Sequence, residues 1–457
     1  MSLLKPLVLS KVVEHDLCIG CGACINACPS KALDITWNNY GFLVAEANEN
    51  SCDNDGACLN VCPFNTEPSD TYQNEDGLAI QYLSDAPIYH PKIGRYNSLY
   101  AGYSIKHRES SSSGGVGTYI YEKLFDLGII KHVVTVGDSN TPNVHYQYKI
   151  VSSKEELLTI SKTRYHPVTL ATVLSEIKQL DGGVAISGVG CFIKAIRLVQ
   201  NNDPVLKEKI KFLAGIICGG VKSTFFTEYL ADKAGATSNE FTNPEYRVKD
   251  PESTASDYGF SCIDKPTKIR KIIKMRQLGD MWGSGLFKAN ACDFCDDVTT
   301  ELSDISLGDA WLSPYDQDGR GHNVVVSRSN IADQILQQGL ISGELELEEL
   351  SQGGFLASQQ GSFNHRHDGI NTRIEMVKHA GMVTPPTRVT STPLPFYLQL
   401  VQKARRGTRA KSLQIWALYK NSIEFDKNMK LEKLKLRVIT KLSHVIRRAK
   451  SSIGVKS

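Results

Sequence analysis

The 457 residues contain no uninterrupted apolar stretch approaching the roughly 20 needed to span a bilayer as a helix. The longest apolar run, Phe212 to Val221, is broken by glycines and a cysteine. After one early lysine, the amino end offers only Pro6 to Leu9 as an apolar patch, too short for a secretory leader. Also missing are a Walker loop, a complete G-x-G-x-x-G, an H-E-x-x-H and a G-x-S-x-G. Nicotinamide binding by a standard dinucleotide fold is therefore not indicated. Acidic residues are scarce at one end: Val401 to Ser457 carries 16 Lys or Arg against 3 Asp or Glu. With a whole-chain charge of only +3, the preceding body is net negative. What remains points to a soluble cytoplasmic protein of about three domains, with an acidic body and a basic tail.

Cysteine is plentiful, and its arrangement is specific. Twelve are present, seven within the first 62 residues, which argues for metal ligation in a reducing compartment over a disulfide framework. Cys18 to Pro29 reads C-x2-C-x2-C-x3-C-P, the run that holds iron–sulfur cubes in bacterial-type ferredoxins. Cys52 to Pro63 repeats the template with Asp55 in place of the second cysteine. Under the crossed ligation of two-cluster ferredoxins, Cys18, Cys21, Cys24 and Cys62 hold a first 4Fe-4S cluster. Cys28, Cys52 and Cys58 hold a second. Asp55 is then an oxygen ligand on a four-iron cube, the mark of a three-iron cluster lacking that corner, or a turn residue before Gly56.

Residues 1–68 are thus expected to form a ferredoxin-type domain, with Leu33 to Trp37 and Gly41 to Val44 as its hairpin. Residues 69–98 read as a polar linker. Beyond it, strand-like runs (Tyr100 to Ile105, His132 to Val136, Val184 to Ser187, Phe212 to Ile217, Ile305 to Leu307, Asn323 to Val326) alternate with helical stretches. The fold class is α+β: a two-cluster ferredoxin unit, a mixed α/β body and a mostly helical basic tail from 381 to 457. Three glycine-bearing turns follow strands, at Gly188 to Cys191, Cys218 to Gly220 and Gly308 to Trp311, where open α/β sheets gather ligands.

The stretch Cys292 to Asp309, CDFCDDVTTELSDISLGD, resembles the family of coenzyme F420 hydrogenase/dehydrogenase beta subunits, iron–sulfur flavoproteins that exchange electrons with a deazaflavin or another acceptor. Ser110 to Gly115, Ser161-Lys162 with Tyr165, Gly188 to Cys191 and Ile217 to Val221 are similar to further family segments in the same order. The resemblance covers about residues 15 to 330. It departs at Val189-Gly190, where the family has Thr-Pro, and at Gly219, where it has His. It implies an N-terminal-like domain at 99–178 and a C-terminal-like domain at 179–380.

The resemblance also implies a flavin, FAD or FMN, near Ser113, Gly114, Gly115, Ser161, Lys162, Gly188, Gly190, Gly308 and Asp309. Lys162 and Asp309 are the candidate catalytic residues. Cys191, Cys218, Cys292 and Cys295 could converge on a third cluster; a zinc site or reactive thiols beside the flavin are the alternatives. Cys262 reads as an ordinary thiol. His365 and His367 read as a solvated loop.

These features imply an oxidoreductase with a redox partner protein or ferredoxin and a small-molecule substrate, a deazaflavin or a sugar-linked compound. The alternative is a non-catalytic electron-relay subunit. Leu431, Leu434, Val438, Leu442 and Val445 align on one helical face amid lysines and arginines. Such a helix packs on the acidic body, docks a partner, or lies on the inner membrane face as a peripheral contact. No fold motif supports nucleic-acid binding.

Overall fold

The computed structural model describes residues 5–48, 51–68, 74–141, 144–237 and 240–452. The amino-terminal unit is built around a hairpin, β1 (Leu33–Trp37) and β2 (Leu43–Ala47), paired from Leu33–Ala47 to Trp37–Leu43. A cysteine loop lies on each side. Each loop ends in a short helix, Ala23–Ala27 or Ala57–Asn60, entered through a glycine at φ +78°. Gly22 and Gly56 are therefore equivalent, and the backbone around Asp55 repeats that around Cys21.

The segment expected to be a linker is structured over its described part; 69–73 lie outside the described residues. Its helix, Glu75–Tyr82, starts where the Asn74 side chain accepts the Gly77 N–H at 2.8 Å, and Leu78 is fully buried. The hairpin of β3 (Ile88–His90) and β4 (Gly94–Tyr96) follows. The apolar positions were too few to stand out among polar neighbours, yet they dock on the body: the Tyr82 hydroxyl donates to Asn201 at 2.7 Å.

The body is one eight-stranded sheet made of β5 (Ser98–Ser104), β6 (His132–Asp138), β7 (Tyr146–Val151), β8 (Val184–Val189), β9 (Ile210–Ile216), β13 (Ile305–Asp309), β14 (Asn323–Ser327) and β15 (Leu345–Glu349). Its order is β15-β5-β14-β13-β9-β8-β6-β7. The four central strands β13, β9, β8 and β6 are parallel, and both flanks are antiparallel. β8 is buried along nearly its whole length, as expected of a strand covered on both faces. A separate antiparallel sheet, β10 (Phe241–Val248), β11 (Gly259–Asp264) and β12 (Arg270–Lys274), packs beside it. Cys262 is buried in β11.

The ferredoxin unit shares its core with the body. Leu17, Cys21, Cys24 and Val61 belong to the same apolar cluster as Val134, Ile186 and Ile193. The Leu170 N–H donates to the Cys21 carbonyl at 2.8 Å, and the Thr224 N–H to that of Gly41 at 3.0 Å. The cysteine loops are thereby held at a fixed position on the sheet.

The basic tail is also more than an appendage. Helix Phe396–Tyr419 puts Trp416 fully inside a core with Phe287, Phe425 and Tyr229. The chain reverses at Lys420, φ +47°, into the helix Ser422–Ser452. That helix buries Phe425, Met429 and Leu436 and leaves the whole Leu431–Val445 stripe exposed. Packing of the stripe on the body is thus ruled out, because the helix meets its neighbours with its opposite face. Residues 453–457 of the tail lie outside the described residues. No helix among the described residues is long and apolar enough to cross a membrane.

Candidate functional site

The thiols gather in three groups. Burial raises Cys24 well above the ordinary thiol range, and Cys21, Cys18 and Cys62 add like charge; Cys21 is pushed up to about 12, chiefly by burial. In the second group burial raises Cys58, with Cys28, Cys52 and Asp55 contributing. In the third, burial raises Cys191 strongly, with Cys295, Cys292 and Cys218 adding to it, while Cys295 is pushed up to about 12 by burial. The groups also adjoin: Cys21, Cys24 and Cys58 lie in one apolar cluster, and Cys28, Cys62, Cys191 and Cys295 pack against it.

Buried like-charged sulfurs of this kind are unfavourable as thiolates unless a cation neutralises them, and iron does so. The donor sets therefore fit clusters. Sulfur atoms in all three groups receive hydrogen bonds, those of Cys28 and Cys52 at 3.3 Å and those of Cys218 and Cys292 at 3.2 Å, from backbone N–H groups in the second and third groups; Cys18, Cys21 and Cys62 of the first are also held by backbone hydrogen bonds. Such bonds tune cluster potentials. Among the described residues, no three His, Cys, Asp or Glu side chains close on a single ion. A cube spreads its thiolates over four irons.

The second group opens to water. Asp55 is exposed, and its Oδ1 accepts the Ala57 N–H at 3.0 Å, which caps the following helix.

The third group draws Cys191 from the start of helix Gly190–Asn202, Cys218 from just beyond β9, and Cys292 and Cys295 from a tight 3-10 turn and its exit. One guanidinium completes it. Arg366 is buried and donates to Cys295 Sγ at 2.8 Å, to the Cys218 carbonyl at 2.7 Å and to the Asp297 carbonyl at 2.7 Å. The expected solvated loop around His365 and His367 is instead a buried turn, because Arg366 and both imidazoles find partners inside. His367 pairs with the Asp296 carbonyl at 2.9 Å, and His365 with Lys288 Nζ at 3.0 Å.

Asp293, between the two cysteines of the C-x-x-C, is buried and paired with Lys288 at 2.8 Å. Arg409 and Arg406 from the carboxy-terminal helical hairpin approach it at 3.3 and 3.7 Å. Burial works against its charge, but Lys288, Arg409 and Arg373 hold the carboxyl far below the usual range. Across the turn, Asp296 accepts from Thr387 and Arg388 of the Pro/Thr-rich segment, at 2.5 and 2.9 Å.

Beside this group lies a cavity of about 410 Å³, within the size range of ligand pockets. It opens beyond the carboxyl ends of β6, β8, β9 and β13. Cys218 of the third group lines it on one side, and Ile19 of the first cysteine loop on another. Tyr148, Tyr165, Phe192, Tyr258, Trp282 and Trp311 supply ring surfaces. Lys162, Arg164, Lys222 and Arg247 supply positive charge. Arg247 Nη2 meets Asp309 Oδ1 at 2.7 Å, and its guanidinium lies 4.5 Å from the centre of the Tyr258 ring. Lys222 donates to the Met281 and Leu286 carbonyls at 2.9 and 2.6 Å; burial lowers it to about 7, and Lys288 adds to the effect. Aromatic walls with a few fixed cations suit a planar heteroaromatic group bearing phosphate.

Of the residues singled out from the sequence, Lys162, Gly188 and Asp309 line the cavity. Ser113, Gly114, Gly115, Ser161, Gly190 and Gly308 do not. The Ser110–Gly115 loop is committed elsewhere: Ser113 donates to the His322 carbonyl at 3.1 Å, and Asn323 accepts the Val116 N–H at 3.1 Å. It touches the cavity at one remove, since Ser112 accepts the Thr163 N–H at 2.9 Å and its carbonyl accepts Arg247 Nε at 3.2 Å. Ser161 pairs with Thr118 at 3.0 Å. Arg247, Trp282 and Arg366 escaped the sequence reading. Each is isolated in its segment, with no spacing signal to mark it.

Residues 99–175 and 181–353 match, respectively, the amino-terminal and carboxy-terminal family models described as "Coenzyme F420 hydrogenase/dehydrogenase, beta subunit". Residues 17–66 match the 4Fe-4S dicluster domain. The chain is 23% identical over 366 residues to a subunit of the F(420)H(2) dehydrogenase of Methanosarcina mazei, covering 75% of this chain and 88% of that one. It is 24% identical over 365 residues to the coenzyme F420-dependent sulfite reductase of Methanocaldococcus jannaschii, covering 75% of this chain and 49% of the other. Among solved structures, a chain of the F420-reducing [NiFe] hydrogenase complex from Methanosarcina barkeri aligns with TM-score 0.49 and 19% identity, over 65% of this chain and 99% of that one.

Asp293→Ala should leave buried Lys288 without its counter-charge. Loss of about 3–5 kcal/mol of stability is expected, read as a lower urea midpoint. A midpoint unchanged from the parent would contradict the pairing.

Proposed function

The chain belongs to the family of coenzyme F420 hydrogenase/dehydrogenase beta subunits and carries a two-cluster 4Fe-4S domain; from this premise we propose that it is an iron–sulfur flavoprotein oxidoreductase acting on an organic substrate at the cavity. The observation that carries the reading is continuity. Cysteines of all three groups belong to or pack against one apolar cluster, and Cys218 of the third forms part of the cavity wall. When bound, the clusters supply one-electron transfer and a flavin couples it to two-electron transfer.

This chain's own residues set the terms. Cys18, Cys21, Cys24 and Cys62 would hold the first cluster, Cys28, Cys52 and Cys58 the second, and Cys191, Cys218, Cys292 and Cys295 a third. Arg366 donates to the third set and favours its more negative, reduced state. In the cavity the ring walls exclude water and fix the plane of a bound heteroaromatic group. Arg247, locked by Asp309, and Lys162 offer charge to a phosphate or a reduced ring. The relatives' names favour a deazaflavin as substrate; a sugar-linked compound is the second candidate. A redox partner protein or ferredoxin would meet the exposed second group.

Denaturing anaerobically purified protein should release about one FAD or FMN per chain, with roughly twelve irons for three cubes or eleven where Asp55 leaves a corner open. Absence of flavin would overturn the enzyme reading in favour of an electron relay. Cys191→Ser should lower the iron content by about one cluster's worth.

Asp55 is addressed by paramagnetic resonance. We expect a three-iron signal in the oxidised protein that disappears in Asp55→Cys; identical spectra would refute an open corner. Arg366→Gln should lower the midpoint potential of one cluster by on the order of 50–100 mV, the worth of one charge-assisted hydrogen bond. An unshifted redox titration would remove Arg366 from that role.

A further inference from the structure

We propose that the outer face of the carboxy-terminal helix, Ser422–Ser452, is a docking surface for an anionic lipid bilayer. Leu431, Leu434, Val438, Leu442 and Val445 are between 52% and 71% exposed, although each is a large apolar side chain. At about 100° per residue they fall within an arc of about 80°. Phe425, Met429, Leu436 and Ser443 occupy the opposite, buried side, so the stripe points away from the body. Near the hairpin turn, Leu418 and Ile423 add apolar surface, 73% and 75% exposed.

The flanks select the occupant. Lys427, Lys430, Lys435, Arg437, Lys441 and Arg448 are exposed beside the stripe, and no acidic residue follows Glu432 in the helix. Glu432 itself faces the preceding helix, paired with Lys411 at 3.4 Å. The same helix face of a second copy would set like charge against like charge. The partner must therefore bring apolar contact and negative charge together.

Spacing separates a flat partner from a helical one. The intervals along the stripe are three, four, four and three residues, so Leu431, Val438 and Val445 recur at seven. A coiled-coil seam needs a second apolar line beside that one, but Leu434 is followed at seven-residue steps by Lys441 and Arg448, and the line through Leu442 carries Lys435. A single apolar stripe edged by lysine and arginine is the geometry of a helix lying in the interfacial plane of a membrane. The redox centres play no part in this inference, which would stand if the flavin reading failed.

The test is cosedimentation of the full-length, cluster-loaded protein with vesicles of phosphatidylglycerol in phosphatidylcholine, and with phosphatidylcholine alone. Binding to the anionic vesicles should be at least about tenfold stronger and should weaken with added salt. The combined variant Leu434→Gln, Val438→Gln, Leu442→Gln should lose at least about tenfold in binding, with cluster absorption and urea midpoint unchanged. Lys430→Gln, Arg437→Gln, Lys441→Gln together should abolish the preference for anionic lipid. If the wild type stays in the supernatant, as a surface meant for an acidic protein would, the proposal is overturned. It is equally overturned if the stripe variant sediments like wild type.

Discussion

Cysteine sulfurs crowded together out of water repel one another as thiolates and gain little as thiols, so iron completes their environment. In this chain that constraint reaches well past the loops that carry the sulfurs. Two strand ends, a 3-10 turn and two glycine-entered helices must all be in register before three groups can form. The core shared between the ferredoxin unit and the sheet meets this need. A ferredoxin module on a flexible tether would leave the distance from Cys21 to Cys191 undefined; here the Leu170–Cys21 backbone hydrogen bond and the apolar cluster around Ile186 and Phe192 fix it.

The same constraint explains the density of buried charge around the third group. Four thiolates would remain net negative even with the proposed cluster bound, and Asp293, Asp296 and Asp297 stand within or beside them. Arg366, Lys288, Arg373, Arg406, Arg409 and Arg388 counter this from the surrounding elements. Each interaction is costly if left half made, since a buried ion without its partner loses solvation and gains nothing. The Pro/Thr-rich segment and the carboxy-terminal hairpin are thereby tied into the site, and the inner face of the last helix, with Phe425 and Met429, shares the same core.

Local spacing made the cysteine loops, the β1–β2 hairpin and most strands of the large sheet legible before any coordinates. Ligand runs and strand periodicity are written within a dozen residues. The joining of Cys191 and Cys218 to the C-x-x-C was also accessible, because both cysteines follow strand-like runs and parallel strands bring their carboxyl ends to one side. Arg366 was not accessible. His-Arg-His carries every mark of a solvated loop, and only the long-range placement of Cys295 and Cys218 turns it inward. Arg247 and Trp282 are of the same kind, as is the helix from Glu75. Their roles depend on partners distant in the chain, for which composition and periodicity hold no signal. The glycine loop at Ser110–Gly115 is the converse case. Its sequence suits a phosphate cradle, but the structure spends its hydrogen bonds on β14 and sends only Ser112 toward the cavity.

The excess of positive charge after residue 400 divides by direction. Arg406 and Arg409 point inward and neutralise Asp293, while Lys430, Lys435, Arg437, Lys441 and Arg448 are exposed beside an apolar stripe that the described residues leave uncovered. A helix needing only solubility would place polar residues along its outermost line, because exposed leucine and valine invite association. A helix needing only to pack on the body would turn those residues inward, where Phe425 and Met429 already sit. The observed sequence does neither. Its outer line is apolar and its edges are cationic over a length of about four turns, and that pairing of hydrocarbon with positive charge is what the proposed bilayer contact rests on.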